Sequence, residues 1–327
     1  MKGMSVMEKE TFRVYRYRWL VLLGFVPIAC MTQVFWITFA PITSAAAEFY
    51  HKSDLMIGLL SMSFMVVYIL VALPAAWAID TWGFKAAVGF GAVLTAVFGL
   101  TRGIFASNFT LVFLSQIGLA IGQPLVIGSI TKIAARWFPD KERATASGLG
   151  TLALYLGPLL AMLLTPFLVL RYGISRMLLI YGIASAAAAV IFLLIAREHP
   201  PTPAGRDERA LMFSGLKSML RQRDFLFLLI LFFVGLGIFN GVSTWIEDII
   251  RPRGFTISQA GMLGGLMLSG GILGAIIIPL FSDKLRRRKP FLLLALIGLI
   301  PGLIGMTYST GYWLLLASGF VFGFFMM

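Results

Sequence analysis

Ten apolar stretches separated by short polar segments run along the chain, at about 19–43, 56–79, 86–105, 110–134, 146–170, 175–196, 225–246, 258–281, 290–308 and 312–327. Roughly 20 apolar residues cross the hydrocarbon core of a bilayer as a helix, and the first nine stretches reach that length. The tenth has 16 residues and runs to Met327 without a polar flank, so the chain is expected to stop within a helix and to be incomplete. The pattern predicts an all-α polytopic membrane protein.

The basic residues give the stretches a direction. Of 27 Lys and Arg, 21 fall in the N-terminal tail and in the polar segments after spans 2, 4, 6 and 8. The other six, Lys52, Arg102, Arg171, Arg176, Arg251 and Arg253, fall in the intervening segments. That division is what the positive-inside rule produces when every stretch crosses the membrane, and it puts the N-terminus in the cytoplasm. The net charge of +13 is therefore mostly a topology signal. A nucleic-acid surface would need those charges on one soluble face, and none is expected as a partner. A chain that is 59% hydrophobic and 13% charged, with a mean hydropathy of +0.91, has no composition for a soluble globule.

The first stretch is too long for the 7–15-residue apolar region of a signal peptide and stays a membrane span. Cys30 is the single cysteine, and the two histidines, His51 and His199, fall on opposite sides of the membrane. An internal disulfide, a cysteine metal site and a histidine metal pair are all excluded, and no cofactor is expected. The longest polar break, 197–224, opens on Pro200-Pro201-Thr202-Pro203 and divides six spans from four. The expected units are an N-terminal six-helix bundle (1–196), a cytoplasmic linker (197–224) and an incomplete C-terminal bundle (225–327). Within the linker, Leu211, Met212, Leu216, Met219 and Leu220 share one helical face, which suits either a short interfacial helix or a solvated linker.

The two parts repeat. Span 2 ends in Asp80-Thr81-Trp82-Gly83-Phe84-Lys85, span 8 in Asp283-Lys284-Leu285-Arg286-Arg287-Arg288, and the two aspartates are 203 residues apart. The offset lays span 1 on span 7, 2 on 8 and 3 on 9. Six spans, a basic linker and a parallel repeat resemble the major facilitator superfamily, which implies twelve helices, of which about ten (six and four) are present. The first turn resembles the superfamily signature Gly-x-x-x-Asp-Arg-x-Gly-Arg-Arg at Asp80, Gly83 and Lys85, departing at Ala76, Thr81 and Phe84. Lys132 to Arg143, with Arg136-Trp137-Phe138-Pro139-Asp140 at its centre, resembles the superfamily's loop after span 4. Gly157-Pro158 resembles the core of its antiporter motif. The resemblance implies a conformational gate made by Asp80, Gly83, Lys85 and Arg136, repeated at Asp283 and Arg287, in which Asp80 stands beside Lys85 and Asp283 beside Arg287.

Phe35-Trp36-Ile37, Lys132-Ile133-Ala134, Trp137-Phe138, Lys141-Glu142 and Ser243-Thr244 further resemble the feline leukaemia virus subgroup C receptor-related branch, linked to choline and to haem. Trp36 matches the tryptophan that helps cage a quaternary ammonium there. The branch's span-5 glutamine falls on Tyr155 and its span-7 aromatic on Asn240, so a quaternary amine is not favoured over other solutes.

All 14 carboxylates fall in loops or within about a turn of a span end, and Arg102, near the outer end of span 3, is the nearest cation to the membrane interior. Neutral polar and aromatic groups cluster at mid-depth instead: Gln33 and Trp36 with Thr32 in span 1, Gln123 in span 4, Tyr155 in span 5, and Asn240, Ser243 and Thr244 in span 7. Gln33, Trp36, Gln123, Tyr155, Asn240 and Thr244 are the expected substrate-binding residues, π-faces and amides suited to a solute with an apolar or cationic part and one hydrogen-bonding group. Packing between helices is the competing account of each. Glycines in span 8 (Gly264, Gly265, Gly270, Gly271, Gly274) read as a close-packing face, Pro124 and Pro158 as bends, and Asn108-Phe109-Thr110 as a chance sequon. Nothing resembles a nucleotide-binding loop, nucleophile or metal cluster, so the chain is not expected to be an enzyme. The expected function is a monomeric plasma-membrane permease moving a small organic solute by alternating access. A receptor reusing the fold stays open, as does a proton-coupled or anion-exchanging carrier if missing helices supply a charge.

Overall fold

In the computed structural model, which describes residues 14–202, 219–286 and 288–326, every regular element is a helix. In chain order they are α1 (Tyr17–Ile37), α2 (Thr43–Tyr50), α3 (Asp54–Trp82), α4 (Phe84–Ile104), α5 (Phe109–Ile127), α6 (Ile130–Trp137), α7 (Asp140–Tyr172), α8 (Ile174–Ile195), α9 (Arg223–Thr244), α10 (Ile246–Ile250), α11 (Ile257–Leu285), α12 (Arg288–Tyr308) and α13 (Tyr312–Met326). Nine spans among the described residues are long and apolar enough to cross a membrane, and the 15-residue α13 is a shorter tenth. The expected interfacial helix lies mostly outside the described residues.

Local chemistry explains the ends. Ser53 caps α3 by accepting from Met56 N–H, and Asn108 caps α5 by accepting from Leu111 N–H at 3.1 Å. That bond accounts for the asparagine of the sequon as a helix cap. Thr256 and Gln259 form a capping box for α11. Gly83 (φ +87°) and Gly173 (φ +79°) each end one helix and begin the next, α3 into α4 and α7 into α8. With ψ near 166–167° both sit in backbone space that an L side chain enters only under strain.

Two spans are broken. α1 stops at Ile37, passes through a 3-10 turn at Ala40–Ile42 and resumes as α2; α5 stops at Ile127, a turn past Pro124, and resumes as α6. Pro158 and Pro166 by contrast lie inside a continuous α7. Lipid provides no hydrophobic drive between helices, so contact depends on small residues. A Cβ on Gly157 would collide with Cys30 O, one on Gly270 or Gly274 with the carbonyl oxygens of Phe320 and Phe324, and one on Gly264 or Gly265 would press into Met162 or Leu163. The span-8 glycines are thus packing glycines, with α13 on one face and α7 on another.

α4 packs on α5 and α8, α1 on α7 and α8, and α3 on α5; later in the chain α13 packs on α11 and α12. The internal repeat pairs α1 with α9, yet their surroundings differ. The apolar part of α1 is 67% buried and that of α9 is 0%, because nothing among the described residues stands where α7 and α8 stand beside α1. Contacts between the helices before and after residue 203 join α11 to α7, and α9–α10 to α2, α3 and the Ala40–Ile42 turn. These lie toward the ends of the spans that carry α2 and α10, so the two parts meet at that end.

Candidate functional site

Trp36 sits at the end of α1, one residue before Ile37, where the helix breaks. Its side chain is 5% exposed, packed in one cluster with Leu60, Phe64, Met162 and Ile246, and its indole N–H has no acceptor among the described residues. Such a donor is costly to bury and is normally satisfied. Ser61 Oγ of α3 and Ser243 Oγ of α9 are likewise buried without a partner.

Behind Trp36, on the adjacent face of α1, lies the most deeply buried charge. Arg102 of α4 is 0% exposed: Nη1 donates to Gln116 Oε1 at 2.6 Å and Nη2 to Thr38 Oγ1 at 3.2 Å. Its guanidinium stands 4.6 Å from the Phe35 ring centre and 5.4 Å from that of Phe39, while Gln116 Nε2 donates to Phe35 O at 3.0 Å. No carboxylate pairs with it among the described residues. Two neutral acceptors and two π-faces offset its desolvation, and they fasten α1 on both sides of Trp36. Arg102 was legible as the nearest cation to the interior; Gln116 carried no sequence signal beyond being a polar residue in an apolar span.

The other expected binding residues divide. Gln33 (7% exposed), Gln123 (4%) and Thr244 (5%) are buried, whereas Tyr155 and Asn240 are partly exposed. Gln33 packs where α1 crosses α7 at Gly157, and Ser243 and Thr244 are the two buried residues of α9. The Thr32 hydroxyl returns to Ala29 O at 2.7 Å within its own helix. A 250 Å³ cavity between α3 and α5 is lined by Tyr68, Ala76, Asp80, Pro124 and Lys132, and a 370 Å³ one between α7 and α11 by Leu163, Phe167, Arg171, Ser258 and Met262. None of the six expected binding residues lines either.

The ion pair beside the Gly83 turn differs from the expected one. Asp80 pairs with Lys132 Nζ at 2.8 Å, not with Lys85, and Lys132 also donates to Ile79 O at 2.9 Å. The break between α5 and α6 carries Lys132 to the end of α3, whereas the one-residue turn at Gly83 starts a new helix at Phe84 and takes Lys85 with it. Lys85 acts through its backbone. The N–H groups of Phe84 (3.1 Å) and Lys85 (2.6 Å) donate to Glu198, which Arg136 also pairs. Glu198 therefore lies on the positive end of α4, and a Cβ on Gly83 would collide with its carboxylate. Asp283 is exposed, and its expected partner Arg287 falls outside the described residues.

The seam at α2 and α10 carries groups that sequence reasoning left as loop charges. Arg251 Nη2 reaches Asp54 of α3 at 2.5 Å and Asp248 at 3.0 Å, so an ion pair crosses between the two parts. Glu247, 1% exposed, accepts from Ser44 N–H at 2.9 Å and from the Ser44 hydroxyl. Trp245 packs against Gly58 so closely that a Cβ there would strike its ring. Burial raises the Glu247 carboxyl above its ordinary range against the two Ser44 donors, and burial also raises Asp248 against the pull of Arg251.

Comparison with known proteins gives this geometry a family. The chain is 32% identical over 299 residues to solute carrier family 49 member A3 of Xenopus tropicalis, covering 86% of this chain and 62% of the relative. It is 28% identical to the choline/ethanolamine transporter flvcr2a of Danio rerio, covering 99% and 74%, and 29% identical to the choline/ethanolamine transporter FLVCR1 of Felis catus, covering 94% and 60%. The chain thus spans about three fifths of the length of the first of these. In fold it is similar to a bacterial homologue of the human lysosomal transporter Spinster in its inward-facing, unoccupied conformation (TM-score 0.71, 18% identity, 96% of this chain and 74% of that one). A D-xylose–proton symporter is also similar (TM-score 0.59, 15% identity, 94% and 79%). The profile of the Major Facilitator Superfamily matches residues 22–327, and with that match over nearly its whole length the chain belongs to this superfamily of membrane carriers.

Proposed function

We propose that this chain forms a secondary transporter that moves a small organic solute, neutral or cationic, by alternating access, with residues 1–196 and 225–327 rocking about the segment between them. The observation that carries the reading is Trp36: an aromatic face at a break in α1, held from behind by Arg102 and Gln116, with an indole N–H that no group among the described residues accepts. Trp36, Gln33, Gln123, Tyr155, Asn240 and Thr244 are its binding residues. A small anion would want a cation at the centre, and Arg102 faces the back of α1 with its guanidinium engaged by Gln116 and Thr38. Two relatives named as choline/ethanolamine transporters make small amino alcohols the first solutes to try. The distribution of basic residues supports a cytoplasmic N-terminus, and the carrier acts as a monomer in the plasma membrane, without ion coupling.

The test is flux of radiolabelled choline, ethanolamine and neutral polyols into proteoliposomes holding the full-length protein, without ion gradients. Uptake that rises to equilibrium and no further supports the reading. Binding of a solute without flux of any of them would instead favour a receptor.

A further inference from the structure

Glu247 and Ser44 are 203 residues apart, the same offset that relates Asp80 to Asp283. They are therefore counterparts under the internal repeat, and counterparts touch one another only on the pseudo-two-fold axis between the two parts. Their contact sits at the centre of the closed outer seam, the place that must part when the carrier opens outward. There Glu247 is 1% exposed, its carboxyl bonded to Ser44 N–H and Oγ, with no hydrogen-bonded cation among the described residues.

The charged groups around it are few. On its own hairpin, Asp248 favours proton binding and Arg251 opposes it. Asp54 of α3 is engaged with Arg251. On neighbouring elements stand Glu48, exposed on α2, His51 and Lys52 just after it, and Arg253, which donates to Ser309 O and Ile249 O. Two carboxylates thus pair with Arg251 at the seam, and Glu247 feels its charge without a direct bond. An ionised Glu247 can take both Ser44 donors but buries a charge. A protonated one donates its O–H to Ser44 Oγ while its other oxygen keeps the Ser44 N–H, so the carboxyl stays bonded and no charge is buried.

We propose that Glu247 is a proton-binding site on the outer seam, loaded when the seam closes and emptied when it opens. This rests on the alternating-access reading above. The proton comes from water on the outer side and returns to it, so external pH sets the balance of conformers while no proton crosses the membrane. The sign follows from linkage: the closed seam holds the carboxyl at a higher pKa than the open, hydrated one. Acid stabilises closure fully below the open-state value, and that contribution is lost as pH rises through the closed-state value.

The experiment is pulsed electron–electron distance measurement on full-length protein in nanodiscs, spin-labelled at Lys52→Cys and Ser258→Cys in a Cys30→Ser background, from about pH 4.5 to about pH 8. The closed-seam population should grow about threefold or more toward acid. Glu247→Gln should stay closed and flat across the range, His51→Gln should keep the response, and Ser44→Ala, which removes a donor that favours the ionised form, should move the midpoint to higher pH. Monodisperse elution shows that each variant has folded, and Ser44→Ala tests the site should Glu247→Gln fail. A wild-type population that ignores pH, a pH response that survives in Glu247→Gln, or proton entry accompanying uptake into dye-loaded liposomes would overturn the proposal. The distance readout needs no substrate, so absence of flux would count against the transport reading and leave this one standing.

Discussion

Trp36 of α1 and Arg102 of α4, which packs on the adjacent face of α1, contribute different things. Trp36 offers a π-face and a free N–H, and Arg102 holds the backbone that presents it. Replacing Trp36 with Ala should abolish uptake, whereas Phe should retain part of it because a π-face survives; normal uptake by the Ala variant would remove Trp36 from the site. Arg102→Lys keeps the charge, but a point ammonium cannot span Gln116 and Thr38 as the guanidinium fork does. A buried acceptor then goes unpaired, at a cost of about 2 kcal/mol, which should appear as a lower thermal midpoint in detergent even where the solute still binds.

At the scale of elements, both cytoplasmic contacts depend on how one helix ends and the next begins. The Asp80 side chain is 52% exposed, so its pair with Lys132 contributes less than ~1 kcal/mol to stability. Asp80→Asn should lower transport while leaving equilibrium solute binding within a few-fold. Lost binding with an unchanged conformational equilibrium would rule out a gating role. Glu198→Gln removes the anion from the start of α4 and strips Arg136 of its counter-charge, and it should destabilise by about 1–2 kcal/mol. Gly83→Ala, forced to φ +87° against the same carboxylate, should lose at least as much in a thermal unfolding assay.

For the whole molecule, cysteine labelling from outside should modify positions 52, 176 and 253 and spare 85 and 141. Labelling of 141 with protection of 52 would invert the topology drawn from the basic residues. Collapse of the transmembrane proton gradient at fixed external pH should leave uptake unchanged, while a change of external pH alone should shift it through Glu247. Uptake that falls with the gradient would mean a coupling carboxylate and end the uncoupled reading.

Much of this was legible in the sequence, because the bilayer imposes strong one-dimensional rules. A helix must satisfy its backbone internally and present about 20 apolar residues, so the ten spans lie close to the observed helices. The 203-residue repeat and the superfamily resemblance at Asp80, Gly83 and Lys132 to Arg143 are likewise properties of the string. What the string could not hold is which polar group meets which. Hydropathy ranks Arg102 and Glu247 as charges near span ends, and only packing shows one wrapped by Phe35, Phe39, Gln116 and Thr38, the other sealed against Ser44. Asp80 and Lys85 are near neighbours along the chain, yet a one-residue turn at Gly83 separates them and a break after Pro124 delivers Lys132 instead. Spans and topology follow from the free energy of transfer into lipid, which each segment meets by itself; pairing, burial and gating depend on contacts between segments, which exist only once the helices have assembled.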